Sequence, residues 1–180
     1  MAKNALLAGA DGTIHGAAWT LGRSGGALRF DGRDDYVALG DFGQLEAATI
    51  AFWLKPADVA RDEWQGTVSS DGWEAGVLHN PMRKGVVDVH LHLGGARRGR
   101  VRSTRLKKDA WHHVAIAADT RTNVLRLFLN GVEESTADIA ALAAPLRLTE
   151  MVVGREYNGR YFAGVIDDVR IYDQELTEAE

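Results

Sequence analysis

The chain has 180 residues, of which 46% are hydrophobic and 26% charged, with a formal net charge of −4. This length suits one domain with a substantial core, and the acidic balance argues against nucleic acid as a partner. There is no cysteine, which excludes a disulfide scaffold, thiol catalysis and Cys-ligated zinc. No apolar run approaches the roughly 20 residues of a membrane-spanning helix.

Taken from the N-terminus, "MAKNALLAGADG" is too weak in charge and apolar length for a secretory signal. The chain is then either cytoplasmic or a module whose signal lies elsewhere. Twenty glycines and three prolines punctuate short alternating runs along the chain. "GALRFDG" predicts a strand with Leu28 and Phe30 inward, and "DYVALG" a second strand after the polar turn "DGRDD". "ATIAFWLKP" sets Ile50, Phe52 and Leu54 on one face, and Pro56 ends it. "GTVSSDGWEAGVLHN" reads as two short strands about an Asp-Gly turn. "GVVDVHLHLGG" alternates, with Val87, Val89, Leu91 and Leu93 on one face and Asp88, His90 and His92 on the other. "GRVRSTRL" is its expected partner strand. "WHHVAIAAD" and "NVLRLFLNG" predict a hairpin around "DTRTN" that buries Leu125, Leu127 and Leu129. The Asn-Gly pair of "LNGVEE" predicts another. "EMVVGRE" and "YFAGVIDDVRIY" complete the strands. Helical character is expected only in "GQLEAAT", "TADIAALAAP" and the tail "LTEAE". Many short strands with turn chemistry between them predict an all-β fold, an antiparallel two-sheet jelly-roll sandwich spanning residues 1–180 as a single domain.

The run "GVIDDVRIYDQEL" raises a question of charge. Neighbouring side chains in a strand leave opposite faces. Asp167 and Asp168 are thus expected on opposite sides, one carboxylate on or near packed apolar surface. A buried charge needs a partner or a metal ion.

"GGALRFDGRDDYVALGD", "TIAFWLKP", "WHHVAIAADTRTNVLRLFLNGVE" and "YFAGVIDDVRIYDQELTEAE", in that order, resemble the laminin-G-like jelly roll of the concanavalin A-like lectin/glucanase superfamily. The resemblance covers roughly residues 11–180, with "DGTIHGAAWTLGRSGGAL" as the lead-in. It implies a sugar-binding, adhesion or structural module, with a calcium ion held by loop carboxylates and carbonyls in many members. It also implies a further strand ahead of "DGT", where this chain has only "MAKNALLAGA".

Calcium takes six to eight oxygen ligands. The turn "FDGRDDY" offers Asp31, Asp34 and Asp35, and the resemblance implies that Asp167 and Asp168 approach it. The expected metal ligands are Asp31, Asp35, Asp167 and Asp168. The alternative is that turn aspartates bond backbone amides while Asp167 or Asp168 pairs with Arg29 or Arg170. His90 and His92 share a strand face, feasible for zinc only with a third ligand; otherwise they line a polar groove. His112 and His113 follow Trp111 and are expected to be structural. The basic run "ARRGRVRSTRLKK", Arg100 within it, suits an anionic polysaccharide or else guards a sheet edge. Trp53 and Trp111 are expected in the core. Trp64, Trp73 and Tyr157 lie in loop-rich stretches and are the candidate sugar platforms, with plugs for the ends of the sandwich as the alternative.

Glucanases of the superfamily carry two glutamates and an aspartate at alternating strand positions, and neither "VIDDVRIY" nor "VVDVHLHL" has that pattern. The expectation is therefore a non-catalytic, lectin-like carbohydrate-binding module of a larger extracellular protein, with a structural calcium. Its expected partner is a glycan or polysaccharide, an anionic one among the candidates. Trp64, Trp73, His90, His92, Arg100 and Tyr157 are its expected ligand contacts. The rival readings are a protein–protein adhesion or structural module and, last, a polysaccharide-degrading enzyme that uses His90, His92 and the arginines.

Overall fold

In the computed structural model, which describes residues 12–70, 76–93, 96–157 and 159–176, the alternating runs become strands. The first nine are β1 (Thr13–His15), β2 (Ala18–Leu21), β3 (Gly26–Asp31), β4 (Tyr36–Gly40), β5 (Gln44–Leu45), β6 (Ala47–Pro56), β7 (Gln65–Gly66), β8 (Val68–Ser70) and β9 (Leu78–His79). The rest are β10 (Pro81–Arg83), β11 (Val86–Leu93), β12 (Ala96–Arg102), β13 (His112–Asp119), β14 (Val124–Leu129), β15 (Val132–Asp138), β16 (Leu146–Arg147), β17 (Met151–Val153) and β18 (Ala163–Tyr172).

Seven strands form one antiparallel sheet in the order β15-β14-β13-β6-β18-β3-β2. The facing layer has two parts, β1-β4-β17-β8 and β12-β11-β10-β7, with β9 paired to β11. The parts meet at Asn80, whose N–H donates to Ser69 Oγ at 2.8 Å and whose carbonyl accepts from the Thr67 N–H at 3.3 Å, so a side chain and the backbone share the junction. Ile50, Phe52, Leu54, Ile116, Leu125 and Leu127 meet Val37, Val87, Val89, Leu91 and Val153 between the layers. The alternation in β6, β11 and β14 thus builds the core as the sequence predicts, and the architecture is the antiparallel sandwich of a jelly roll. At the turn after β14, Asn130 and Gly131 have φ of 53° and 82°, the left-handed pair that a two-residue hairpin requires.

Several expectations need correction. "GQLEAAT" holds β5 and the start of β6, because cross-strand pairing overrides a weak helical pattern. "TADIAALAAP" gives the end of β15 and a single 3-10 turn over Ala140–Leu142. Trp53 and Trp111 are half-buried rather than in the core, because Trp53 alternates with Phe52 and Leu54 and so takes the outer face. Residues 177–180 of the tail, and the segment where a first strand was expected, lie outside the described residues.

The two aspartates of β18 also depart from simple alternation. The β18–β6 register shifts between Asp167 and Arg170. Asp167 lies opposite Trp53, while Arg170 lies opposite Ala51. Two residues, Asp168 and Val169, thus face the single Phe52, which is a β-bulge. Asp168 takes a φ of 47°, a left-handed conformation that aspartate tolerates better than most residues. The bulge puts both carboxylates on the outer side of the sheet, so neither faces the core. Asp167 is nevertheless buried, because the turn after β2 folds over it. Its Oδ2 accepts the N–H groups of Arg23 at 2.7 Å and Ser24 at 3.3 Å. Asp168 is exposed and pairs with Arg170 at 2.9 Å.

Candidate functional site

The outer face of β11 carries Asp88, His90 and His92, as its alternation predicts, yet all three are buried. β9 lies beside it with His79 opposite His90. The segment 155–161 supplies the buried Glu156, whose Oε1 lies 3.1 Å from His79 Nδ1 and whose Oε2 accepts from Arg160 at 3.2 Å. The rings of His79 and His92 stand edge to face at 4.9 Å, and those of His90 and His92 at 6.1 Å. Trp64 meets the His90 ring edge-on at 6.0 Å.

On the other flank Asp88 Oδ1 lies 2.7 Å from His90 Nε2 and accepts from Arg100 Nε at 2.8 Å. Arg102 shares the same carboxylate at 3.2 Å. Burial opposes the charge on Asp88, but the Arg100 and His90 hydrogen bonds outweigh it and hold the carboxyl well below the usual carboxylate range. Two arginines on one aspartate leave this edge of the sheet with surplus positive charge.

Beside this polar floor opens a recess of about 450 Å³. Trp64 and Tyr161 supply its aromatic surface, and Arg61, Arg83 and Arg160 its cations. Arg83 stacks over the indole of Trp64 at 5.2 Å. Each carboxylate near it is engaged: Glu63 by Arg61 at 2.8 Å, Asp62 by Arg83 at 2.7 Å and Lys84 at 2.8 Å, and Glu156 by His79 and Arg160. Lys84 and Arg83 hold Asp62 below its ordinary value. Such a site offers aromatic surface and planar donors, with its carboxylates tied up as acceptors.

The structure therefore gathers Trp64, His90, His92 and Arg100 on one side of one sheet. Tyr157 is half-buried in the segment that carries Glu156, while Tyr161 takes the wall of the recess. Trp73 and the side chains of Arg97 and Arg98 lie outside the described residues. His79, Glu156, Arg160 and Tyr161 were not foreseen. His79 reaches His90 only through pairing around the β10 hairpin, and Glu156 comes from a segment 64 residues beyond His92.

The expected metal ligands do not come together as a set. Asp31 lies opposite Ala163, four residues from Asp167, or roughly 13 Å along the strand. Asp167 is engaged by backbone amides and Asp168 by Arg170. What does converge is Asp31, Asp34 and Asp35, with ligand-capable oxygens within 4.8 Å of one another. Two of these oxygens already serve the turn: Asp31 Oδ1 accepts from Arg33 N–H and Asp35 Oδ2 from Asp31 N–H, each at 2.8 Å. Asp35 Oδ1 sits 2.1 Å from where a Cβ on Gly16 would stand, so only glycine leaves room for that carboxylate. Asp31 Oδ2, the Asp34 carboxylate and Asp35 Oδ1 fit a hard cation in type. Zinc lacks such convergence: among the described residues that aspartate group is the one cluster of three metal-ligating side chains, and the histidines are not part of it.

Comparison with known proteins places this arrangement among β-sandwich modules. The family model described as concanavalin A-like lectin/glucanases superfamily matches residues 31–180. No curated protein matches the chain in sequence. Among solved structures, the receptor-binding domain of botulinum neurotoxin C/D mosaic serotype superposes with a TM-score of 0.77 at 14% identity, over 94% of this chain and 44% of that one. Domain 4 of AbnA, a GH43 extracellular arabinanase from Geobacillus stearothermophilus, in complex with arabinotriose, gives 0.73 at 17%, over 93% and 84%. The botulinum neurotoxin serotype D ligand-binding domain in complex with N-acetylneuraminic acid gives 0.72 at 15%, over 95% and 45%. The chain spans less than half of the neurotoxin domains, and at these identities the likeness is one of fold.

Proposed function

Because the chain belongs to the concanavalin A-like lectin/glucanase superfamily, we propose that it is a non-catalytic carbohydrate-binding module of a larger secreted protein. The observation that carries this reading is the recess in which Trp64 and Tyr161 stand among arginines. A sugar ring is amphipathic: its C–H face packs on aromatic surface while its hydroxyls take hydrogen bonds from planar donors. The engaged carboxylates support binding over hydrolysis, which needs one acid and one base free to act. The AbnA domain, matched over 84% of its length and bound to arabinotriose, is a precedent for a glycan on this fold; the neurotoxin domain in complex with N-acetylneuraminic acid is matched over only 45% of its length. Arg83 and Arg160, with the surplus charge at Arg100 and Arg102, would favour an acidic glycan.

The test is titration calorimetry against neutral and uronic-acid oligosaccharides, with Trp64→Ala alongside. Binding should weaken at least about tenfold in the variant, or roughly 1.4 kcal/mol. A variant that folds and binds as the wild type does, or a wild type that binds no glycan, refutes the assignment. Part of the same proposal is a calcium ion on Asp31, Asp34 and Asp35. Millimolar calcium should raise the melting temperature of chelator-treated protein, and Asp34→Asn should remove the rise.

A second reading, a protein-docking module, draws on the sheet edge at β2, where Trp19 is 57% and Leu21 89% exposed. Self-association abolished by Leu21→Lys, together with a blank glycan panel, would move the assignment there.

A further inference from the structure

The outer face of a sandwich sheet is ordinarily polar and solvated. The seven-stranded sheet breaks that pattern at its centre. Ala51, Ala115 and Ala117, on the paired strands β6 and β13, make a floor of small side chains. Around it stand Trp53, His113, Phe128, Tyr172 and Leu176, enclosing about 490 Å³. That volume lies within the range of small-ligand sites. It faces away from the Trp64 recess, which lies against the other layer.

Local devices hold the walls. Arg23 stacks on the Trp53 indole at 4.5 Å, and His113 tilts against it at 5.1 Å. At the far end Thr49 clasps the C-terminal segment, its hydroxyl donating to Gln174 O at 2.8 Å and accepting from Leu176 N–H at 2.9 Å. The bulge in β18 turns Asp168 outward beside Arg170, so a carboxylate and a guanidinium stand together on the rim. Bulges often re-aim a side chain next to a site. Asn130 adds a carboxamide at the same end.

We propose that this cavity is a second carbohydrate site, one that takes an uncharged sugar ring over Ala51 and Ala115. The ligand class follows from the lining. Alanines and aromatic edges accept the C–H face of a ring, and the remaining N–H groups of Arg170 and the Asn130 amide nitrogen offer donors for hydroxyls; Asp168 is paired with Arg170, and Asn130 Oδ1 accepts from the His113 N–H. The Asp168–Arg170 pair is neutral overall, and burial, partly offset by Asp168, lowers the His113 pKa. Neither sign of ligand charge is matched, in contrast to the arginine-rich recess. The module would then grip a polysaccharide at two faces, which raises avidity without new contacts at either. This inference rests on the carbohydrate-binding reading but not on the Trp64 site.

The experiment is a heteronuclear NMR titration with methyl pyranosides and methyl furanosides of neutral sugars. The indole N–H resonances of Trp53 and Trp64 are assigned through Trp53→Phe and Trp64→Phe. A saturable shift of the Trp53 indole is expected, retained in Trp64→Ala and lost in Ala115→Phe, which fills the cavity from an outward-facing position. A Trp64 response with a silent Trp53 indole overturns the second site and leaves the proposed function standing. Silence at both indoles, with every oligosaccharide also failing in calorimetry, overturns both. A Trp53 shift unchanged in Ala115→Phe also overturns the proposal, because the ligand would then lie outside the cavity.

Discussion

Asp167→Ala probes whether the buried carboxylate of β18 is neutralised by the backbone. In the wild type one oxygen, Oδ2, takes the N–H groups of Arg23 at 2.7 Å and Ser24 at 3.3 Å. A hydrogen bond to a charged group contributes about 1.5–3 kcal/mol. The longer of these two belongs at or below the bottom of that range. Arg23 and Ser24 are exposed, so their amides regain water once the acceptor is gone. The expected loss is about 2 kcal/mol for alanine and about half that for Asp167→Asn, which keeps one oxygen in place. For a chain of this size the alanine figure corresponds to roughly 4–8 °C in Tm. Urea denaturation followed by tryptophan fluorescence, with and without millimolar calcium after chelation, measures it. Asp168→Asn, whose partner is the exposed Arg170, should cost under about 0.5 kcal/mol. An Asp167→Ala loss under about 0.5 kcal/mol would refute the reasoning. So would a loss seen only when calcium is present, since the carboxylate would then be serving a metal.

Two further outcomes follow from the site. Asp88 has its pKa depressed on folding, so it contributes stability above its unfolded value of about 3.9 and loses it as pH falls toward the lower folded value. Acid titration of stability should therefore show a steep decline below about pH 4, and Asp88→Asn should flatten it while lowering stability at pH 7. Gly66→Ala should destabilise by more than about 2 kcal/mol in chemical denaturation. A Cβ there would lie 2.1 Å from the backbone of Arg155 and Glu156; the strain should displace the segment carrying Glu156 and weaken glycan binding alongside.

The sandwich was legible because its strongest strands obey period two without exception. Ile50-Phe52-Leu54, Val87-Val89-Leu91 and Leu125-Leu127-Leu129 all turn inward as written. The site was legible only where strand parity decided it, as for His90 and His92. That those histidines would be flanked by His79, itself paired with Glu156, depends on how β9 and the segment 155–161 are brought in, and no local pattern encodes that. The aspartate pair departs from strict alternation because β18 carries a bulge between Asp167 and Arg170. The sequence did carry the warning: Ile166 and Ile171 are both inward, five positions apart, which an unbroken strand cannot arrange. The four aspartates do not form one cation site because strand parity carries no register: the two segments pair, but their acidic positions are offset by four residues.

The bulge gives β18 an unusual tolerance to a change in length. In an unbroken strand, losing one residue turns every later side chain to the wrong face. Here the inserted residue already supplies the extra step. Without Asp168, Val169 would sit alone opposite Phe52, and Ile166, Val169 and Ile171 would fall into one reading frame, with Asp167 and Arg170 in the other. The fold would keep its core and its ladder while the rim of the outer cavity lost its carboxylate. Removing Asp168 should therefore change the ligand preference of the outer cavity while the strand parity on either side of it is kept.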